Sequence, residues 1–357
     1  MLIYIPQSRA EWGFFLTAFV QALVVVGLGI FIHIRWQQWA NPNFIQLQIS
    51  YTAPVYLSLF MFGCLYQWLL AFDAIRSKHN IQLFAICVCN ACLLIFTGLL
   101  YKEMRWVVPH ATEQRDMYNK PLVKLDQDIW VEIGPCLLVC TIITGICTLA
   151  MWGFTYRLHK EFAWAIYKHV SADLHMRSRF LTYQIYLVLL KLVLYFFLSF
   201  VISYNLIDVH FSQPEYSLTM VLIPTSLLVL GFSVYYTRIE NKLGMTVTMV
   251  FQLAGVAYLL SRIILLNGNS QRATSKGKDL MLLFAGVGMI FLIFTFIEAC
   301  QCLYNFNKGL KPILLNRKPQ ALRRQSYTFQ RLSLQPPSPI NTPSQAYLLS
   351  PRRLSLD

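Results

Sequence analysis

Two ionisable side chains interrupt long apolar stretches: Lys191 in Leu189-Leu190-Lys191-Leu192-Val193, and Glu298 in Phe294-Thr295-Phe296-Ile297-Glu298. A charge at the centre of a hydrocarbon layer costs about 2.5–3.5 kcal/mol on insertion scales, so each must face protein or water. At helical spacing Gln184, Tyr195 and Ser199 share a stripe with Lys191, and Thr295, Gln301 and Asn305 lie at nearby angles to Glu298. The chemistry open to such a seam is passage of a proton, ion or small solute. The structural reading is a buried pair that fixes how two helices mate. Glu298 is the partner expected for Lys191, giving a polar seam of Gln184, Lys191, Tyr195 and Glu298.

Other reactive residue types form weaker patterns. Asp126-Gln127-Asp128 is like the acidic pair that holds a divalent cation in many glycosyltransferases. Acidic residues just ahead of an apolar run also make a good helix N-terminus, and that is the plainer reading. Cys136 and Cys140 share a helix face but have no His or carboxylate at ligand spacing, so they read as small packing residues. His-Glu-x-x-His, Gly-x-Ser-x-Gly and phosphate-binding glycine loops are absent, and the seven histidines are scattered. The expectation is a protein that is not an enzyme and holds no cofactor or metal.

The elements that must position these residues follow from composition. Of 357 residues, 56% are hydrophobic and 13% charged, with a mean hydropathy of +0.50. Soluble domains carry about 25% charged residues, and one of this size could not hide so much apolar surface in a single core. Eight stretches approach the ~20 apolar residues needed to cross a bilayer: 12–34, 53–72, 81–101, 131–154, 181–204, 217–237, 245–266 and 280–304. The first is too long for a cleavable signal and reads as a retained anchor. The fold class is an all-α polytopic membrane helix bundle of about eight transmembrane helices. Connections under 30 residues leave no room for a soluble module. Pro54, Pro135 and Pro224 fall inside spans, but no two spans share matching interruptions, so the broken-helix pattern of inverted-repeat transporters is missing.

Lys and Arg place the ends. Nineteen lie on the side of the termini and nine on the other, which puts both termini in the cytosol. Trp12, Trp36, Trp39, Trp106, Trp130 and Trp152 sit at span ends, where interfacial tryptophans belong. Arg262, near the lumenal end of the seventh span, is expected to snorkel to the interface. All nine cysteines fall within spans, so no lumenal disulfide framework is expected.

Residues 1–310 form the membrane domain, and 311–357 read as a disordered, basic, Ser- and Pro-rich cytosolic tail. Paired arginines precede Ser326 and Ser355, Arg331 precedes Ser333 by two, and Ser338, Thr342 and Ser350 are each followed by proline. These are patterns for basophilic and proline-directed protein kinases. Each phosphate would add roughly −1.5 to −2 charges to a tail otherwise drawn to anionic lipid at the cytosolic face. The net charge of +14 is accounted for by this tail and the cytosolic loops, without nucleic acid. Leu314-Leu315-Asn316-Arg317-Lys318 resembles short aliphatic-basic Golgi retention peptides.

Three segments carry a wider likeness: Phe72-Asp73-Ala74-Ile75-Arg76-Ser77-Lys78-His79-Asn80-Ile81-Gln82; Tyr183-Gln184 with Leu189-Leu190-Lys191 and the aromatic run Tyr195, Phe196, Phe197; and Arg238-Ile239-Glu240-Asn241. Together they resemble an uncharacterised fungal family of multi-pass Golgi apparatus membrane proteins, across the membrane domain and not the tail. The family pattern has an Asp shortly after the lysine that matches Lys191. Leu192 and Val193 stand there in this chain, so a distant acid is needed. The resemblance implies residence in the Golgi membrane or neighbouring endomembranes, and no biochemical activity. Function is expected to be that of a non-enzymatic trafficking or scaffold component, the alternative being a small-solute or proton-coupled transporter built on the Lys191/Glu298 seam.

Overall fold

The computed structural model describes residues 8–41, 48–113, 115, 120–126, 128–169, 174–209, 215–268 and 277–308. Eight α-helices follow one another: α1 Arg9–Trp39, α2 Gln48–Ser77, α3 Asn80–Glu113, α4 Ile129–His169, α5 Leu174–Ser203, α6 Glu215–Ile239, α7 Lys242–Asn267 and α8 Lys278–Asn305. A π-helical turn, Tyr204–Val209, continues α5. All eight are long and apolar enough to cross a membrane, and the described residues contain no strand beyond two isolated bridges. The chain divides into two units, Met1–Lys311 and Pro312–Asp357. The tail sites Ser326, Ser333, Ser338, Thr342, Ser350 and Ser355 lie outside the described residues.

The helices outrun the apolar stretches that signal them, because a helix need not end where hydrocarbon does. The largest excess is in α4, which continues 15 residues past the stretch ending at 154. The last turns of α3 remain buried through Met104, Val107, Val108 and Ala111. Ahead of α4 the chain folds back on the end of α1: Lys124 N–H donates to the Trp39 carbonyl at 3.1 Å, Asn41 N–H to the Leu122 carbonyl at 3.0 Å, and the Trp39 indole N–H to the Lys124 carbonyl at 3.0 Å.

Local sequence explains the ends. Ser8 and Glu11 have capping-box spacing, and the Ser8 hydroxyl accepts from the Ala10 and Glu11 amides. The Asn241 side chain caps α7 in the same manner. Two helix-to-helix turns on the charge-rich face are built alike. After α2, His79 N–H donates to the Ala74 carbonyl and Lys78 N–H to Ile75; after α6, Asn241 N–H donates to Tyr236 and Glu240 N–H to Thr237. Both are Schellman closures with a non-glycine residue at positive φ, Lys78 at 51° and Glu240 at 59°. The strain of that conformation, of order 1 kcal/mol or more, is tolerated because each turn reverses the chain within two residues.

Packing is uneven around the bundle. α3 packs against α2, α4 and α5, and α5 against α8, while α6 and α7 lie at the edge. Their membrane-crossing windows are only 11% and 17% buried, against 61% for α5, so most of their apolar surface faces the bilayer. Close approach in the centre depends on Gly63, where an added Cβ would meet the Tyr195 hydroxyl and Leu93 Cδ2. Gly98 has open space around it. We expect Gly63→Ala to destabilise the detergent-solubilised protein by about 1–3 kcal/mol through overpacking. Gly98→Ala should leave the thermal midpoint unchanged or raise it, since alanine is the better helix former by about 0.5–1 kcal/mol.

Candidate functional site

Lys191 finds its acid on α2, not on α8. Its Nζ donates to Asp73 Oδ2 at 2.5 Å and to Gln82 Oε1 at 3.1 Å, while Gln82 Nε2 donates back to Asp73 Oδ2 at 3.1 Å and to the Leu70 carbonyl at 2.9 Å. The three side chains form a closed triangle joining α5, α2 and α3. Tyr66, nearly two turns before Asp73 on α2, donates its hydroxyl to the Lys191 carbonyl at 2.9 Å, so α5 is held by backbone as well as charge. The short turn Lys78–His79 is what brings Gln82 back beside Asp73.

This arrangement corrects the expected Lys191/Glu298 pairing. α8 rests its Ala299 and Cys302 on Tyr186 and Leu190 of α5. Lys191 is about 100° further round the helix from Leu190, which turns it toward α2 and α3. Glu298 is half-buried, and its Oε2 has no hydrogen-bond partner among the described residues. Depth is corrected too. Lys191 looks central in the apolar stretch 181–204, but α5 begins at Leu174 and Lys191 is level with Asp73, one turn from the end of α2. The pair therefore lies toward the charge-rich end of the bundle, with the Lys191 and Asp73 side chains 36% and 49% exposed. Of the expected stripe, Tyr195 is buried and donates weakly to the Leu59 carbonyl at 3.3 Å, Ser199 is buried with its hydroxyl unbonded, and Gln184 is half-buried.

His79 completes the cluster from the turn. Burial and the neighbouring Lys191 ammonium hold its imidazole down at about 4, with Asp73 opposing them only in part. It is neutral at pH 7 and adds no positive charge beside Lys191.

Two further polar centres lie outside the expected seam. Between α1, α3 and α4, Gln21 Nε2 donates to Asn90 Oδ1 at 2.8 Å and Asn90 Nδ2 to Thr148 Oγ1 at 3.1 Å; Gln67 Nε2 and Asn90 Nδ2 each lie 3.4 Å from the Met151 sulfur. Gln21 and Gln67 keep an unbonded Oε1, although both side chains are almost wholly enclosed. Toward the opposite end of the bundle Arg262 is paired and does not snorkel freely. Its Nη1 donates to Glu215 Oε1 and to the Tyr204 hydroxyl, both at 2.9 Å, and its guanidinium lies over the rings of Tyr204 and Tyr258. The π-helical turn supplies Tyr204 and also buries Asn205 completely, with neither amide atom bonded.

The remaining candidates are structural. Asp128 accepts from the Trp130 amide at 3.1 Å and caps α4, as an acid ahead of a helix should; Asp126 is exposed, and Gln127 lies outside the described residues. Cys140 is buried and Cys136 half-buried, and no trio of His, Cys, Asp or Glu able to hold a metal occurs among the described residues. Asp73 and Gln82 were within reach of sequence reading: Asp73 is the sole acid in α2, immediately after its apolar run and one turn inside the helix end.

With this geometry in view, the comparison with known proteins has a structural counterpart. The chain is 26% identical over 272 residues to the UPF0658 Golgi apparatus membrane protein of Schizosaccharomyces pombe, covering 72% of this chain and 77% of that one. This is the fungal Golgi membrane protein family that the sequence resembles. The chain is a multi-pass membrane protein of the Golgi apparatus. No family model and no solved structure matches it. The segments that carry the resemblance are those that meet in space: Asp73 and Gln82 flank one Schellman turn and close on Lys191, and Glu240 forms the other turn, where its Oε2 accepts from the Asn307 amide at 2.9 Å.

Lys191→Met should lower the thermal midpoint by the equivalent of about 1 kcal/mol, because half-exposed Asp73 is left without its cation. Adding Asp73→Asn should recover most of the loss, and adding Glu298→Gln should recover none. His79 supplies a pH test. Its folded-state value lies below the ordinary 6.5, so the stability it contributes is complete above pH 6.5 and is lost as pH falls toward 4. The midpoint should decline across that window, and less steeply in His79→Gln.

Proposed function

We propose that this Golgi membrane protein is a non-enzymatic trafficking or scaffold component, and that the Lys191–Asp73–Gln82 triangle fastens α5 to the α2–α3 hairpin. The observation that carries this reading is that the Lys191 ammonium is engaged where it stands by one carboxylate and one amide oxygen, and these are cross-linked to each other. A group that hands a charge to a moving solute must exchange partners, whereas this one is held by three helices. Asp128 is occupied in capping α4, which weighs against a cation-binding role for Asp126 and Asp128. The basic tail, with its kinase patterns and attraction for anionic lipid, would supply regulation.

A transporter is the second reading, on a different observation from the one that first suggested it. Gln21 and Gln67, each more than 95% buried, keep an unbonded amide oxygen, and Asn90 of the same network lies about two turns along α3 from Gln82. Enclosed acceptors of this sort are often satisfied by water, and water in that position would continue the Lys191 cluster into the bilayer.

The two readings part in cells that express full-length variants. For a fastener, Lys191→Met should reduce steady-state abundance several-fold and Lys191→Met/Asp73→Asn should restore both abundance and Golgi residence. Normal abundance and location in Lys191→Met, together with loss of a cellular phenotype that the double variant fails to restore, would reject the fastener in favour of the transporter.

A further inference from the structure

A cavity of about 150 Å³ lies between α5, α6, α7 and α8, walled by Val193, Phe197, Val229, Phe251, Tyr258 and Leu292. It occupies the central turns of α6 and α7, the two helices whose surfaces are mostly turned to the bilayer. Phe251, in its wall, is 51% exposed, so the cavity communicates with the lipid side. A largely apolar space of this size has room for hydrocarbon about as large as a benzene ring.

Polar residues in the lining are few: the Thr225 and Ser226 hydroxyls donate to the Val221 and Ile223 carbonyls of their own helix, and Tyr258 and Gln252 supply the others. Gln252 is 3% exposed; its Nε2 donates to the Tyr186 hydroxyl at 3.2 Å, and its Oε1 has no partner among the described residues. A buried amide oxygen left unbonded is destabilising, and only a donor can relieve it. Full charge is not called for: Arg262, one turn beyond Tyr258 on α7, is already paired with Glu215. On the same face of α7, Gly255 lies between Phe251 and Tyr258, leaving bare backbone between two rings, and an added Cβ would come within 3.1 Å of Leu292 Cδ2. Flat, ring-lined walls beside an unbonded amide oxygen complement a rigid, uncharged, hydroxyl-bearing lipid better than a flexible acyl chain.

We propose that this cavity is a sterol site, entered laterally from the bilayer between α6 and α7, in which the ring carrying the hydroxyl is enclosed and the hydroxyl donates to Gln252 Oε1. The remainder of the sterol body would lie along the exposed faces of α6 and α7, since 150 Å³ encloses only one end of it.

The test uses the full-length protein in native membranes with two photoactivatable, clickable probes, a sterol and a phosphatidylcholine bearing its reactive group mid-chain. We expect the sterol probe to label peptides of α6 and α7, with unlabelled sterol as competitor. A 3-deoxy sterol, which lacks the donor, should compete about 3- to 10-fold less well, the worth of one hydrogen bond. Gln252→Leu, which keeps bulk and removes the acceptor, should reduce sterol labelling by a similar factor and leave phosphatidylcholine labelling unchanged. Equal competition by the 3-deoxy sterol overturns the proposal on the unaltered protein, even if Gln252→Leu fails to accumulate. Labelling of α6 and α7 by the phosphatidylcholine probe alone would overturn it in favour of ordinary acyl-chain filling.

Discussion

A lysine carried into an apolar helix has to meet an acceptor at its own depth, and in this protein that acceptor is a carboxylate 118 residues earlier in the chain. Much of the bundle's arrangement can be read from this requirement. α2 must end where Lys191 lies, the chain must turn within two residues so that Gln82 returns to the same place, and α5 must offer that face while its opposite side receives α8. The strained αL conformation of Lys78 is part of the same solution, since a longer turn would not return Gln82 to Asp73. Charge, turn and helix packing act here as one unit.

Polar groups elsewhere in the bundle obey the rule less completely. Arg262, toward the other end of the bundle, is matched by Glu215 and two tyrosine rings, so each charged end of the bundle has a local counter-charge. Between those ends, neutral amides on α1, α2 and α7 satisfy their donors and leave acceptors over. Amide N–H groups have bonded oxygens or sulfurs of their neighbours, and sulfur is the weaker acceptor. The surplus acceptors mark the places where a small donor, water or a lipid hydroxyl, completes the chemistry. The helices differ in degree: α2, α3 and α5 are the most enclosed, and α6 and α7 turn the largest share of their surface outward.

Resemblance to a Golgi membrane protein and the geometry bear on each other. The three segments that carry it are scattered in sequence, and their likeness alone does not say why those residues occur together. In the folded chain the first two close the charge triangle, and the third caps α7 and ties the end of α8 through Asn307. A pattern with no catalytic motif thus has a mechanical content, the joining of helix ends on the charge-rich face.

The number of helices, their approximate centres and their alternation were legible in the chain, because hydrocarbon thickness imposes a length and an apolarity that any 20-residue window reveals. Lys191 was legible as an anomaly for the same reason, as was the cap at Asp128. Its partner was not. Both Glu298 and Asp73 are single acids near the charge-rich ends of apolar runs, and a helical wheel orders residues around one helix without saying which neighbour each face meets. That choice was made by packing: small residues at Ala299 and Gly288 let α8 settle on one side of α5, which leaves Lys191 to the other. The extension of α3 and α4 beyond the bilayer, the Gln21–Asn90–Thr148 network and the cavity beside Gln252 likewise depend on contacts between helices distant in sequence. Local composition determines that a segment crosses the membrane; only the tertiary structure decides which polar atoms meet inside it, because that depends on the rotation and depth of every helix at once.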